Sequence, residues 1–362
     1  MPLSSTLPDF PWDLLEPAKA VAAEHPGGIV DLSVGTPVDP VPPLIRQALS
    51  DAADAPGYPL TAGSPALRAA ISSWTSRFCG APDGVGVLPT IGSKELVAWL
   101  PTLLGVGAGD VVVIPQVCYP TYEVGVRLAG ATLVRSDSLV ALGPTRVRLV
   151  WINSPSNPTG RVLPPEHLRK VIAWARERGA IVVSDECYVS LGWDATPVSV
   201  LSPEVCGGDV TGVLAVHSLS KRSNLAGYRA GFVAGDPGLV GELLAVRKHA
   251  GMMVPAPVQA AMIAALGDES HVMEQRARYA ARRTALLAAL QAAGFEISHS
   301  EAGLYLWASR GEDCWKTVDW LAERGILAAP GVFYGPSAHQ HIRIALTATD
   351  ERVAAAVDRL AG

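Results

Sequence analysis

The sequence predicts an α/β fold in which helices cover a buried, mostly parallel sheet, followed by a smaller α+β part. Short β-branched runs alternate with segments of helical periodicity, the runs are almost continuously apolar, and the pattern changes after about residue 250. Continuous apolar strands between helices are typical of parallel sheets, which are buried on both faces. The predicted strands are IVDLSV at 29–34, VVVIP at 111–115, ATLVRS at 131–136, RVRLVWI at 146–152, AIVVSD at 180–185 and VLAVHS at 213–218.

Two segments carry the clearest helix signals. After Ser64, a candidate N-cap, and Pro65, suited to the first helical position, apolar residues recur every three to four positions up to Phe78. A second apolar face includes Leu168, and its pattern stops at Gly179. Both helices lie between predicted strands, as an α/β layer architecture requires.

The last part of the chain groups helices with a few strands. An Ala- and Arg-rich helical stretch covers 268–293, a helix ends near Gly325, and a closing helix begins at Asp350. Short strands are predicted in FEISHS, GLYLWA and HIRIAL. We therefore expect an N-terminal segment at 1–28 that packs with the small domain, a large domain at 29–250 and a small domain at 251–362.

Composition and charge argue against several classes of function. The 362 residues are enough for about two domains of roughly 150 residues each. Hydrophobic residues make up 49%, but no apolar run approaches the roughly 18 residues of a membrane span. The net charge of −5 and the absence of a Lys/Arg stripe argue against a nucleic-acid partner. Because MPLSSTLPDFPWDLL has no basic region followed by an apolar one, we expect a soluble, cytoplasmic protein.

Five cysteines, at positions 79, 118, 187, 206 and 314, are scattered and form no CxxC pair. This pattern suits neither a disulfide framework nor a zinc site, so we expect reduced, mostly structural cysteines and no metal. A nucleophilic cysteine stays open as an alternative, although none lies in a known signature.

The strongest chemical signal is Lys221, which follows an apolar strand within HSLSKRSNLAGYRAGF. The segment groups an amine nucleophile with the hydroxyls of Ser218 and Ser220 and the guanidinium of Arg229, which suit a phosphate. This combination predicts a phosphorylated aldehyde cofactor. A solvated turn lysine flanked by two capping serines is the alternative, and spacing alone does not decide between them.

A pyridoxal-phosphate site also needs a carboxylate for the ring nitrogen and partners for the ring oxygen. Asp185 ends AIVVSD, at the strand edge where ligands of open α/β sheets bind, and its charge would keep the pyridine nitrogen protonated. Asn157, in INSPSNPTG, and Tyr188 could bond to the ring oxygen, and Tyr188 would help lower the pKa of the imine. A turn-capping aspartate and a plain NPTG turn are the structural alternatives.

Two further segments would complete such a site. GSKE at 92–95 opens a helix, so the amides of Ser93 and Lys94 would face a phosphate, although a plain helix start explains the same residues. Tyr119 could stack on the pyridine ring, but a strand-end tyrosine is more often ordinary packing.

Nine short segments occur in order along nearly the whole chain. They are SVGTP at 33–37, GYPLTAGSPALRAAI at 57–71, IGSKE at 91–95, CYP at 118–120, NSPSNPTG at 153–160, SDECY at 184–188, SLSK at 218–221, GYRAGF at 227–232 and HIRIAL at 341–346. Together they resemble the class I and II aminotransferases, which are fold-type I pyridoxal-phosphate enzymes. The resemblance implies a seven-stranded, mostly parallel large sheet between helices, a smaller C-terminal domain, and pyridoxal 5′-phosphate as cofactor.

The resemblance also implies a role for each candidate residue. Lys221 would hold the cofactor as a Schiff base and shuttle the proton, Asp185 would pair with the ring nitrogen, and Tyr188 and Asn157 would bond to the ring oxygen. The residues expected to bind the phosphate or stack on the ring are Ser93, Lys94, Ser218, Ser220, Arg229 and Tyr119.

Three expectations rest on the resemblance alone. Tyr58 resembles the tyrosine that reaches the phosphate in the neighbouring subunit, which implies a homodimer with shared active sites. Arg343, in HIRIAL, resembles the arginine that binds the substrate α-carboxylate in a bidentate fork. The Gly35 amide and Asn157 would assist it.

The short chain, GSKE and the segment SKRSNLAGYR resemble the actinobacterial N-succinyldiaminopimelate aminotransferases of lysine biosynthesis. This resemblance implies ping-pong transfer of an amino group from glutamate to N-succinyl-2-amino-6-oxopimelate, which releases 2-oxoglutarate. The alternatives are an aspartate, alanine or LL-diaminopimelate aminotransferase, or a pyridoxal-phosphate carbon–sulfur lyase. A regulator built on the same fold would need a DNA-binding domain for which 362 residues leave no room.

Overall fold

The computed structural model describes residues 2–362. Its strands are β1 Val30–Asp31, β2 Gly86–Ile91, β3 Val111–Ile114, β4 Thr132–Arg135, β5 Val147–Asn153, β6 Ile181–Asp185, β7 Val213–Ser218, β8 Ala230–Gly235, β9 Glu296–Ser298, β10 Tyr305–Ser309, β11 Ile326–Leu327, β12 Ala329–Pro330 and β13 Ile342–Ala345. Its α-helices are α1 Glu16–Ala23, α2 Pro43–Asp51, α3 Pro65–Cys79, α4 Gly92–Leu103, α5 Thr121–Leu128, α6 Pro165–Arg178, α7 Pro203–Cys206, α8 Leu219–Arg222, α9 Pro237–Ala250, α10 Ala256–Gly267, α11 Ser270–Ala292, α12 Cys314–Ala322 and α13 Asp350–Ala361.

The large sheet has seven strands in the order β2-β8-β7-β6-β5-β3-β4. Strand β8 runs antiparallel to both of its neighbours, and the other pairs are parallel. Strands β6 and β7 are buried along their whole length, as expected for a sheet covered by helices on both faces. The predicted mostly parallel α/β sheet and the fold-type I architecture are confirmed.

The register of the parallel strands brings the candidate residues to one edge. Asn153, at the end of β5, lies opposite Asp185, at the end of β6. Asp185 in turn lies opposite Val216, near the end of β7, and α8 with Lys221 begins directly after that strand. The carboxyl-terminal edge of the sheet therefore gathers three segments that lie far apart in the sequence.

The two helices predicted from the sequence are present in the structure, and their capping residues are the predicted ones. The Ser64 hydroxyl accepts the Leu67 amide at the start of α3, and Pro65 occupies its first turn. Helix α6 ends at Gly179, which adopts φ +64° in the left-handed region that favours glycine. Both helices pack with the core beneath the large sheet.

One predicted strand joins a different sheet. The run IVDLSV at 29–34 was expected in the large sheet, but only Val30–Asp31 forms a strand, and it pairs in parallel with β11 near the other end of the chain. The apolar pattern correctly indicated buried residues, since Val30 and Leu32 are both buried. It did not indicate which strand they pair with. This expectation is therefore corrected.

A second sheet, in the order β12-β13-β10-β9, lies in the C-terminal part of the chain. Its core includes Leu15 and Ala18 from the N-terminal segment, whereas α10 contributes Met262 and Leu266 to the core beneath the large sheet. Helix α10, at Ala256–Gly267, thus packs with the large sheet although it follows residue 250. The domain bounds 1–28, 29–250 and 251–362 stay a prediction.

All five cysteines are free, and four of them are buried. Within residues 2–362 no helix has the length and apolar character needed to cross a bilayer.

Candidate active site

Lys221 lies in the first turn after β7, with its amine turned toward the segment that follows β1. Its Nζ donates a hydrogen bond to the carbonyl oxygen of Gly35. Burial lowers the pKa of Lys221, and the nearby cations Arg343 and Arg229 lower it further, while Tyr305 acts in the opposite direction. A neutral amine is therefore easier to reach here than in water.

Asp185 is a buried carboxylate whose hydrogen bonds come from neutral groups. The Tyr122 hydroxyl donates to Oδ2 at 2.9 Å, and the Cys187 amide donates to Oδ1 at 3.2 Å. Burial raises the pKa of Asp185 and these hydrogen bonds oppose the rise. Since no Lys, Arg or His of residues 2–362 forms an ion pair with it, Asp185 can accept a cation from a bound group.

Asn157 and Arg343 are in direct contact, as a shared substrate site requires. Nη1 of Arg343 donates to Oδ1 of Asn157 at 2.9 Å, and Nη2 donates to the Ser33 carbonyl at 2.6 Å. The Asn157 amide is held by Oδ1 of Asn153 at 2.7 Å, and the Asn153 side chain also donates to the Asp185 carbonyl. The structure thus joins the NSPSNPTG loop to Asp185 and to Arg343.

Tyr188 pairs with a residue that sequence reasoning did not single out. Its hydroxyl lies 3.1 Å from the hydroxyl of Tyr305, at the start of β10. The Tyr305 ring also faces the Arg343 guanidinium, whose Cζ lies 4.0 Å from the ring centroid. A methyl group on Gly35 would collide with Tyr305, so glycine is required at that close approach. The predicted role of the Gly35 amide stays a prediction.

At the amino end of α4, a second corner of the site contains two cationic side chains, Lys94 and Arg229. A side chain on Gly92, whose φ is +70°, would collide with the Arg229 guanidinium. Burial and the neighbouring Arg229 lower the pKa of Lys94, which places these two cations close together. Ser93 is the second residue of the same helix and lies beside the Cys187 thiol. This corner suits an anion such as a phosphate.

Ser218 and Ser220 are both buried directly before Lys221. The Ser218 hydroxyl accepts the Ser220 amide at 3.2 Å and caps α8. Tyr119 stands edge-on to Tyr122, with ring centroids 5.9 Å apart, and burial raises its pKa to about 12. Its role in stacking stays a prediction.

Tyr58 is the one predicted site residue that the chain does not bring to this group. Its side chain is 97% exposed. That exposure leaves it free to serve another subunit, but the single chain does not test such a role.

Sequence reasoning missed Tyr305, Tyr122 and Cys187. Tyr122 follows Tyr119 by three residues, so helical spacing after VCYP could have marked it. Cys187 lies between Asp185 and Tyr188 but resembles any core cysteine. Tyr305 carries no local signal, because its partners come from segments far away in the sequence.

The residues present fit pyridoxal 5′-phosphate. Lys221 supplies a buried amine, Asp185 a buried carboxylate without a cation, and Arg229 with Lys94 an anion corner. In addition, Nε of Arg343 is buried and has no hydrogen-bond partner within residues 2–362, as expected for a group that awaits a carboxylate.

The sequence model of the family of class I and II aminotransferases matches residues 28–360 of the chain. The chain belongs to this family. It is therefore a pyridoxal-phosphate-dependent aminotransferase, and the predicted family, enzyme class and cofactor are confirmed.

Three curated relatives illustrate the range of the family. A "probable aminotransferase" of Mycobacterium tuberculosis is 65% identical over 99% of this chain and 86% of its own length. The 4-dedimethylamino-4-oxo-anhydrotetracycline transaminase of Streptomyces rimosus is 59% identical over 98% and 99%. An LL-diaminopimelate aminotransferase of Dehalococcoides mccartyi is 31% identical over 100% and 99%.

Solved structures show the same architecture. An aminotransferase of Neisseria meningitidis superposes with a TM-score of 0.89 at 31% identity, covering 99% of this chain and 98% of that one. A Thermus thermophilus protein named as a "probable N-succinyldiaminopimelate aminotransferase" gives a TM-score of 0.85 at 26% identity, covering 97% and 99%.

Proposed function

We propose that this aminotransferase passes the amino group of glutamate to N-succinyl-2-amino-6-oxopimelate, which yields N-succinyl-LL-diaminopimelate and 2-oxoglutarate. The carrying observation is Arg343, a buried guanidinium with a free Nε that faces Asn157 and Tyr305. Both substrates present an α-carboxylate to such a group. The name of the Thermus thermophilus structure supports the succinylated acceptor.

Each residue of the site has a separate role in the proposed reaction. Bound pyridoxal 5′-phosphate supplies an electrophilic carbon for the amine and a ring that accepts the electron pair left at the substrate carbon. Lys221, whose pKa is lowered by burial, would hold the cofactor and would take the α-proton as a general base. Asp185 would provide a negative charge for the ring nitrogen, and Tyr188 and Asn157 would donate hydrogen bonds to the ring oxygen. Arg343 holds the substrate carboxylate in the same enclosure as Lys221.

Two other acceptors have specific support. The 59% identity to the Streptomyces rimosus transaminase favours a polycyclic ketone as amino acceptor. The LL-diaminopimelate aminotransferase of Dehalococcoides mccartyi, which is 31% identical to this chain, favours an unsuccinylated acceptor. An aspartate or alanine aminotransferase is a further alternative with the same cofactor site.

The first experiment measures the two half-reactions of the purified, cofactor-loaded enzyme. Glutamate is added and the loss of visible absorbance is followed, and the candidate acceptors are then supplied one at a time. We expect conversion by glutamate and the fastest return with the succinylated oxopimelate. Lys221→Ala should slow both half-reactions by roughly 10³-fold, because it removes the general base.

The outcomes separate the activity from the substrate. Fastest return with an anhydrotetracycline ketone, unsuccinylated oxopimelate, oxaloacetate or pyruvate would discard the proposed acceptor and keep the aminotransferase. Pyruvate release from cystathionine, without any amino acceptor, would instead support the carbon–sulfur lyase.

We further propose a homodimer that shares active sites, located in the cytoplasm. The exposure of the Tyr58 side chain in the single chain supports the shared site, because it leaves this side chain free to contact a second subunit. The aminotransferase family supports the cytoplasmic location.

A further inference from the structure

A cavity of about 430 Å³ lies beside the cofactor site and belongs to neither sheet alone. On one side it is lined by the segments that follow β3, β4 and β5, and on the other by Ser298, Trp307 and His341 near the small sheet. Its volume is in the lower part of the range, roughly 300–1,000 Å³, that small-molecule sites occupy. None of the residues assigned to the cofactor or to the substrate carboxylate lines it.

The cavity has one flat wall and a largely apolar floor. The Trp307 indole and the His341 imidazole are stacked, with centroids 5.0 Å apart and planes inclined by 5°. Val150 of β5, Leu163 of the segment before α6 and Val171 of α6 contribute aliphatic surface. Such a wall favours a planar apolar body over a flexible polar one.

Arg161 is the one permanent cation in the cavity lining, and the other polar groups there are mostly neutral side chains that can form hydrogen bonds. Arg161, His167, His299 and His341 line it, and the guanidinium of Arg161 makes no hydrogen bond or ion pair to any described residue. The one acid in the lining, Asp137, already accepts the Gln116 amide at 3.0 Å. His299 has a weak carboxylate partner, since its Nδ1 lies 3.8 Å from Glu301. An uncommitted arginine beside three imidazoles attracts a carboxylate.

We propose that this cavity is a second ligand site, separate from the cofactor site, that takes a small molecule with a flat ring and a carboxylate. The ring lies against the Trp307–His341 wall and the carboxylate pairs with Arg161. Asn153 connects this site with the cofactor site, because it lines the cavity and also holds Asn157 and Asp185 by hydrogen bonds.

The test uses benzoate as the probe and the cofactor-loaded enzyme in a calorimetric titration. Because benzoate could also bind Arg343, the titration is run in an Arg343→Gln background, where that carboxylate site is lost. We expect benzoate to bind with a stoichiometry of one per chain. Adding Arg161→Gln should weaken the binding at least tenfold, which corresponds to the loss of about 1.4 kcal/mol.

Arg148→Gln is the matched control, since Arg148 is an exposed arginine toward the opposite end of β5. It should leave benzoate binding unchanged. Ser298→Trp, which fills the cavity from the small-sheet side, should abolish binding. In the Arg343-containing enzyme, Arg161→Gln and Ser298→Trp should keep the glutamate half-reaction, which shows that the chains are folded.

Three results would overturn the proposal. They are no benzoate binding once Arg343 is replaced, equal binding by the Arg161→Gln and Arg148→Gln variants, and binding of inorganic phosphate in preference to benzoate. The proposal does not depend on which amino acceptor the enzyme uses, so a wrong acceptor leaves it intact.

Discussion

At the scale of single residues, the hydroxyl of Tyr305 distinguishes this site. It lies 3.1 Å from the hydroxyl of Tyr188, which is expected to donate to the cofactor's ring oxygen. A hydroxyl that receives a hydrogen bond becomes a stronger donor, because hydrogen bonds in a chain polarise one another. We expect the Tyr305 hydroxyl to donate to Tyr188 and so to act as a positioning residue, while its ring faces the Arg343 guanidinium.

Replacing Tyr305 by Phe keeps the ring against Arg343 and removes only this hydroxyl. The visible absorbance of the cofactor-loaded enzyme changes with pH, and the midpoint of this change gives a pKa. We expect this pKa to rise by about 0.5–1 unit, since one lost hydrogen bond is worth about 1 kcal/mol. A spectrophotometric pH titration measures this shift. Tyr188→Phe should raise the same pKa by at least as much.

The double variant provides the decisive control. If Tyr305 acts through Tyr188, the Tyr305→Phe change should have no further effect once Tyr188 is Phe. Additive shifts, or no shift in the single variant, would show that the Tyr305 hydroxyl has no part in tuning the cofactor. Unchanged KM for glutamate would confirm that Arg343 is still supported.

The chemistry of the residues predicts Lys221, Asp185 and Asn157, the family resemblance adds Arg343, and the structure brings these four residues together. Each belongs to a short ordered motif, so its chemistry is visible locally. Tyr305 could not be predicted in the same way, because its contact is with a residue 117 positions away. Helical spacing could mark the position of Tyr122, but not its contact with Asp185, which lies 63 positions away.

At the scale of elements, the strands that the sequence reveals are those with continuous aliphatic runs, such as β6 and β7. Strands β2 and β8 were not predicted. Pro89 lies inside β2, which is tolerated because β2 is an edge strand, and β8 has the sequence AGFVAG, in which small residues replace the usual β-branched ones. In the large sheet, the missed strands are the two that pair antiparallel with each other at one side of the sheet.

Asp236 joins two elements at the end of β8. Its Oδ1 caps α9 by accepting the Gly238 and Leu239 amides at 2.8 and 3.4 Å, and its Oδ2 accepts the Gly212 amide before β7 at 2.8 Å. We expect Asp236→Ala to lower the free energy of unfolding by about 2 kcal/mol, the upper part of the range for a lost N-cap. Urea unfolding followed by circular dichroism measures the change.

Thr349→Ala is the matched cap variant on the surface helix α13, where the threonine hydroxyl accepts one amide, of Arg352, at 3.4 Å. It should cost less than half as much as Asp236→Ala. Equal losses in the two variants would mean that the link from Asp236 to Gly212 adds nothing to the cap.

At the scale of the whole molecule, one chain holds every predicted site residue except Tyr58 in one group. Tyr58 and Leu60 are exposed close together in the sequence, with 97% and 60% of their surfaces accessible. Exposed aromatic and aliphatic residues side by side are typical of a contact surface. The shared-site homodimer therefore predicts an effect of Tyr58 on the partner's cofactor.

Tyr58→Phe should weaken cofactor binding about tenfold by removing one hydrogen bond to a charged phosphate. A hybrid of one Tyr58→Phe chain and one Lys221→Ala chain should recover one intact site, with about half of the wild-type activity at limiting cofactor. Co-purification through two different tags isolates the hybrid. A hybrid no better than the Tyr58→Phe homodimer would rule out sharing across the interface.

The pairing of β1 with β11 has a consequence for how the protein is made. The two strands are about 300 residues apart, so at about 5–20 residues per second the ribosome needs some 15–60 s to deliver the partner of Val30. The seven-stranded sheet is complete at Gly235 and can form well before that time. Until β11 is synthesised, Val30 and Leu32 lack the strand beside which they are buried in the folded protein. The first strand of the chain is therefore among the last elements to reach its final position.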